Sequence, residues 1–177
     1  MNRAMNFLTT VAASALLLPA LAFGQMEEVM DNTALQAKVK TKLMTEDIIG
    51  GTAVNLETED GVVQLGGFVD DEAHAKRAGE IVAGVEGVRK VDNQLHIKSG
   101  DRTAGQAIDD GMITTKVKAK LAEADLGTAA SVNVDTYNGV VLLTGFVDTA
   151  ETKSLAEKYV SEQDDVKDVI NGIYVRD

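Results

Sequence analysis

The chain has 177 residues, a formal net charge of −11, 45% hydrophobic residues and no cysteine. Such an acidic balance repels phosphate backbones and gains no long-range attraction to anionic lipid, so no nucleic acid partner is expected. The missing cysteine excludes disulfides, thiolate metal sites and a cysteine nucleophile, and sets the expectation of no covalent lipid anchor.

Residues 1–24 have the layout of a secretory signal peptide. Arg3 supplies the positive start, Val11 to Leu18 form an apolar run too short to span a bilayer, and Pro19 precedes small residues, so cleavage is expected after Ala22 or after Gly24. Removal leaves about 153 residues with a net charge of −12. No later segment is apolar enough to span a membrane. The expectation is a soluble exported protein, in the periplasm if the cell is Gram-negative.

Shifting the chain by 78 residues aligns Asp31–Ser99 with Asp109–Asp177 without a gap, and 23 of the 69 pairs are identical. The phrase GVVQLGGFVD at Gly61 returns as GVVLLTGFVD at Gly139. Each copy opens with a helix, since Leu35, Val39 and Leu43 recur every four residues, as do Ile113, Val117 and Leu121. Thr33 with Gln36 predicts a capping box at the first start. A hairpin follows, with Val54 and Leu56 alternating before a turn at Glu59, Asp60 and Gly61; the second turn, Tyr137-Asn138-Gly139, contains the Asn-Gly signal. Asp70 and Asp148 stand where N-caps of a second helix belong. That helix buries Ala78, Ile81 and Val82 in one copy and Leu155, Ala156, Tyr159 and Val160 in the other. Val91, Leu95 and Ile97, matched by Val169, Ile173 and Val175, alternate as a closing strand.

The fold class is therefore α+β: two tandem α-β-β-α-β domains, residues 31–99 and 109–177. Each is expected to be a three-stranded mixed sheet with two helices on one face. Residues 100–108 read as a linker that lets the domains tilt. Each repeat is complete, so each is expected to fold on its own.

Val63, Leu65, Gly67 and Val69 point to one strand face, as do Val141, Leu143, Gly145 and Val147, and this shared face is the core. The opposite face differs between copies, Gln64 against Leu142 and Gly66 against Thr144, which reads as solvated. Gly67 and Gly145 are structural glycines expected where a helix crosses closely. Phe68 and Phe146 are placed at the strand end. His74 and His96 are replaced in the second copy by Thr152 and Tyr174 and read as surface residues. No catalytic constellation, metal-ligand spacing or cofactor motif is present, so no enzyme and no cofactor are expected.

Two such repeats, each with a lysine-rich first helix, a VxVxTxxGxVxLxGxV hairpin and a closing VxNxLxV strand, resemble the BON domain family, in its exported tandem form of the osmotically inducible periplasmic type. The resemblance implies an envelope or osmotic-stress protein, and in some members contact with phospholipid through the first helix of the second copy. The matching residues are Lys38, Lys40 and Lys42 with Lys116, Lys118 and Lys120, which flank the buried stripes and either lay their stems over the core edge or contact an anionic surface. The net charge, −4 in the first repeat and −6 in the second, opposes such a surface, and no tryptophan is present to anchor it. The other expected partners are envelope proteins or unfolded chains, bound in a holdase-like manner by the apolar pieces DIIGG (Asp47 to Gly51) and Met112-Ile113 or by strand addition at sheet edges.

Overall fold

The computed structural model describes residues 20–46, 54–124 and 131–176, with side chains from residue 32 onward. The expected signal segment lies outside the described residues up to position 19, and Asp47 to Gly51 lie wholly outside them.

The first repeat contains α1 (Ala20–Thr45), β1 (Val54–Glu59), β2 (Val62–Val69), α2 (Glu72–Ala83) and β3 (Lys90–Ile97). The second contains α3 (Ala104–Glu123), β4 (Ser131–Tyr137), β5 (Val140–Val147), α4 (Ala150–Ser161), β6 (Asp168–Asn171) and β7 (Tyr174–Val175). In each, the hairpin pairs antiparallel and the strand after the crossover helix joins the central strand in parallel, giving the expected mixed sheet. Both hairpins turn on two residues of positive φ, Asp60-Gly61 and Asn138-Gly139, the backbone signature of a type I′ turn. The predicted stripes fill two cores. Leu35, Val39 and Leu43 meet Val63, Leu65, Ala78, Ile81 and Val82; Ile113, Val117 and Leu121 meet Val141, Leu143, Ala156 and Val160. Each buried valine, leucine or isoleucine among them contributes about 1.5–3 kcal/mol on burial.

Several local expectations shift. Helix α1 opens at Ala20, so Thr33 sits inside it and no capping box forms there; Gln36 instead donates its amide to the carbonyl of Leu56, 2.5 Å away. The N-caps of α2 and α4 are Asp71 and Thr149, one residue beyond Asp70 and Asp148. Those two aspartates accept from Lys98 and Arg176, both at 2.7 Å, tying the end of each central strand to the end of its parallel neighbour. Leu155 is exposed rather than buried. The second closing strand breaks at Gly172 into β6 and β7.

The linker is held. Helix α3 begins at Ala104, inside the stretch expected to be a linker, and Thr103 and Gln106 form its capping box. The Tyr137 hydroxyl donates to Gly100 O at 2.9 Å, the Asn138 amide to Ser99 O at 2.9 Å, and Arg102 stacks on Tyr137 while pairing with Asp110 at 3.1 Å.

The largest departure concerns the face read as solvated. Gln64 and Thr144 are each 1% exposed and Leu142 is fully buried, because the outer faces of the two sheets pack against each other. The chain is thus four layers, helices outside and two sheets between. Across the contact, Gln64 accepts from Gly145 N and donates to Gly172 O at 2.8 Å, while also donating to Asp92 at 2.6 Å. Asn55 donates to Asp135, and Asn133 donates to Glu57 at 2.9 Å. The Arg176 guanidinium forks onto Glu59 at 2.8 and 3.0 Å. Phe68 packs on Tyr137 across the interface, ring centroids 5.7 Å apart, and Lys90 lies 4.7 Å over the Tyr174 ring. The joined sheets and the bound linker hold the two domains against each other in this structure.

Gly145 has φ +120, and a Cβ there would lie 1.7 Å from the carbonyl oxygen of Ser131 in the neighbouring strand. The obstacle is backbone of the same sheet, not the crossing helix expected. Gly67, at φ 136, stands at the equivalent position opposite Val54. Gly145→Ala is expected to lose about 2–5 kcal/mol from combined steric and φ strain. Urea denaturation checks this, and an unchanged midpoint contradicts it.

His74 is exposed, with Nδ1 2.7 Å from Asp71, but His96 departs from the surface reading. It is half-buried beside Phe68 on the interdomain side of β3, its Nε2 buried without a partner, and burial pushes its pKa down. The unfolded chain therefore binds a proton near pH 6.5 that the folded chain takes up only at lower pH. This group's stability contribution is present above that value and is lost as pH falls through it. His96→Tyr, which installs the residue of the second repeat, is expected to flatten the fall in Tm between pH 7.5 and 5; an identical fall in both proteins contradicts the assignment.

Candidate functional site

The core stripes of the first helices dictate where their lysines point. With Leu35, Val39 and Leu43 turned inward, Lys38 and Lys42 leave on one flank of α1 and Lys40 on the other, and all three are exposed. In α3, Lys116 and Lys118 are exposed and Lys120 is half-buried. Lys42 pairs with Glu46 at 3.2 Å, and this contact holds the Glu46 carboxyl below its usual range; Arg77 adds a second contact at 3.4 Å. Lys116 donates to Asp165, whose carboxylate raises the lysine above its ordinary value. Lys118 faces Asp135: burial pushes that carboxyl up, while the Asn55 amide and the Lys118 charge pull it back. Helices α1 and α3 lie in opposite outer layers, so the six lysines do not converge on one surface.

Each domain has a cleft bounded by its first helix, its hairpin turn and the loop before its third strand. In the first domain it measures about 490 Å³ and is lined by Leu35, Lys38, Asp60, Glu86 and Arg89. The second measures about 320 Å³ and is lined by Asp110, Met112, Lys116, Asn138 and Lys167. Its floor contains a feature that the sequence reading missed. The buried Asp110 carboxylate accepts from the backbone N–H groups of Asn138 (2.9 Å) and Gly139 (2.8 Å), clamping the tight turn onto α3. The available signal is its position three residues before Ile113, where a carboxylate extends an otherwise apolar stripe and needs donors. Among the described residues no group of three or more histidines and carboxylates could hold a metal ion. No helix of the described residues is long and apolar enough to cross a membrane.

The exposed apolar side chains are arranged more suggestively. Ile108 is 66% and Met112 52% exposed, one turn apart on the solvent side of α3; Met44 on α1 and Leu155 on α4 are also exposed. Met112 thus stands at the cleft mouth while its neighbour Ile113 belongs to the core. The strand edges are less available than expected. Gln36 occupies the carbonyl of Leu56 on β1, and the Asn93 and Asn171 side chains accept from Leu95 N (3.2 Å) and Ile173 N (3.3 Å) along the third strands.

Comparison with known proteins agrees with this architecture. The chain is 37% identical to osmotically-inducible protein Y of Escherichia coli K12 over 145 residues, 81% of this chain and 72% of that protein. It is 31% identical to the outer membrane lipoprotein DolP of Haemophilus influenzae, covering 80% and 72% of the two chains. It is also 31% identical to a 21 kDa hemolysin of Actinobacillus pleuropneumoniae, covering 72% and 66%. The BON domain family matches residues 31–99 and again 109–177, so the chain belongs to the BON family, as a tandem pair of its domains.

Proposed function

We propose that this chain is a non-enzymatic envelope protein of the osmotic-stress response, exported to the periplasm, that holds apolar segments of other proteins in a reversible, holdase-like manner. The observation that carries the reading is the exposed pair Ile108 and Met112 on a helix whose opposite face is already committed to the core. Flexible methionine adapts to varied apolar partners, and the surrounding acidic surface keeps the chain soluble. The names of two relatives, one osmotically inducible and one of the outer membrane, support the setting. The relative from the outer membrane is named a lipoprotein, whereas the sequence here contains no cysteine to carry a lipid. The edge-strand contacts favour capture by helix faces over strand addition.

A second reading is contact with anionic phospholipid, favoured by the presence of Lys116, Lys118 and Lys120 on the same helix as Ile108 and Met112. Against it stand the pairing of Lys116 with Asp165 and the net negative charge. The readings separate by salt and by mutation. Suppression of aggregation of a thermally unfolded client is expected to survive high salt, to persist when the three lysines become alanine, and to weaken several-fold in Ile108→Ser/Met112→Ser. Flotation with anionic vesicles that is lost in high salt and in the lysine variant, without client protection by the parent chain, would overturn the proposal in favour of lipid.

A further inference from the structure

The contact between the two sheets has an internal symmetry. A shift of 78 residues turns Asn55 into Asn133 and Glu57 into Asp135, and the contacts observed are Asn55 to Asp135 and Asn133 to Glu57. Each domain therefore offers the same patch to the other, as in a two-fold dimer, where residue i meets j and j meets i. In such an arrangement a residue on the axis meets its own counterpart. Two positions do so. A Cβ on Gly66 would meet Thr144, its counterpart, at 2.7 Å from both Cγ2 and Oγ1; a Cβ on Gly172 would meet the Oε1 of Gln94, its counterpart, at 2.8 Å. Gly66 and Gln94 are direct neighbours across β2 and β3, so the axis runs through both.

At each axial position one domain carries glycine and the other a larger side chain, and the glycine is in the first domain at one position and in the second at the other. We infer that this face is a self-recognition surface that accepts only the unlike domain. Two second domains would bring threonine against threonine at the Thr144 position; two first domains would bring glutamine against glutamine at the Gln94 position. Like pairing between copies of the chain is thereby disfavoured at one axial site or the other, while the pairing within one chain fits at both. Gln64 reinforces the choice. Its amide spans to Gly145 N and Gly172 O, and the counterpart Leu142 has no group able to return these bonds. Discrimination of this kind arises from clashes built against the wrong partner as much as from contacts with the right one. The differences between the repeats on this face are what makes each the complement of the other.

The test transposes the axial side chain in the full chain. Gly66 has an ordinary strand φ, and replacing glycine by a β-branched residue in a strand is favourable in itself. Gly66→Thr alone nevertheless is expected to lower Tm by roughly 3–10 °C, because two threonines then share the axis. Gly66→Thr combined with Thr144→Gly moves the side chain to the other domain and is expected to recover most of that loss. If the single variant fails to fold, a folded transposed variant carries the same conclusion. A Tm for Gly66→Thr equal to or above the parent's, or additive losses in the transposed variant, or failure of that variant to fold, would overturn the inference. Gly172→Ala serves as the milder control, expected to cost less because Gln94 is long enough to swing aside.

Discussion

The side-chain amide of Gln64 occupies the centre of the molecule, and the arrangement of both domains depends on the contact it bridges. An amide fully withdrawn from water costs free energy unless its donors and acceptor are satisfied. Here the carbonyl accepts from Gly145 N and the N–H groups reach Asp92 and Gly172 O, so one residue of the first sheet is satisfied largely by the backbone of the second. Separating the sheets would expose Leu142 and Phe146 to water and break these bonds together. The linker contacts at Gly100, Asp101 and Arg102 then fix the only covalent route between the halves.

That constraint organises the outer surface. With each sheet covered by its own helices on one side and by the other sheet on the opposite side, the described residues leave the outward faces of the helices, the sheet edges and the domain ends facing solvent. The lysines of α1 and α3 are consequently divided between two outer layers and partly neutralised by Glu46 and Asp165. Beside them the helix faces expose scattered apolar side chains, Met44 on α1, Ile108 and Met112 on α3 and Leu155 on α4, of which Ile108 and Met112 lie one turn apart. The duplicated fold thus uses one face of each sheet for its own core and the other for joining, and leaves the helices as the outermost layers.

The sequence disclosed what local periodicity controls. The stripes Leu35-Val39-Leu43 and Ile113-Val117-Leu121, the tight turns at Asp60-Gly61 and Asn138-Gly139, and the alternation of Val63 and Leu65 all lie where their spacing places them. Helix starts were legible only to within a residue at Asp71 and Thr149, where adjacent residues compete to cap, and not at all for α1, which continues upstream of Thr33. The outer sheet face was misread for a physical reason. Alternation shows that Gln64, Gly66 and Phe68 share a face, but what covers it is decided by distant residues of the other repeat, Gly145, Thr144 and Tyr137. Variation between repeats looks the same whether the face meets water or meets its own unlike copy. Likewise, the flank on which each lysine emerges follows from helical geometry, whereas their separation into opposite layers follows from the stacking of the sheets.

The account stands on the two sheets being in contact in solution. Interdomain nuclear Overhauser effects in the intact, isotopically labelled chain test this directly. The account predicts cross-peaks between the rings of Phe68 and Tyr137, whose centroids are 5.7 Å apart, and between the Gln64 side-chain amide and the backbone N–H of Gly145. Intact cross-peaks within each domain with none between these pairs would mean that the faces are apart in solution, and would contradict it.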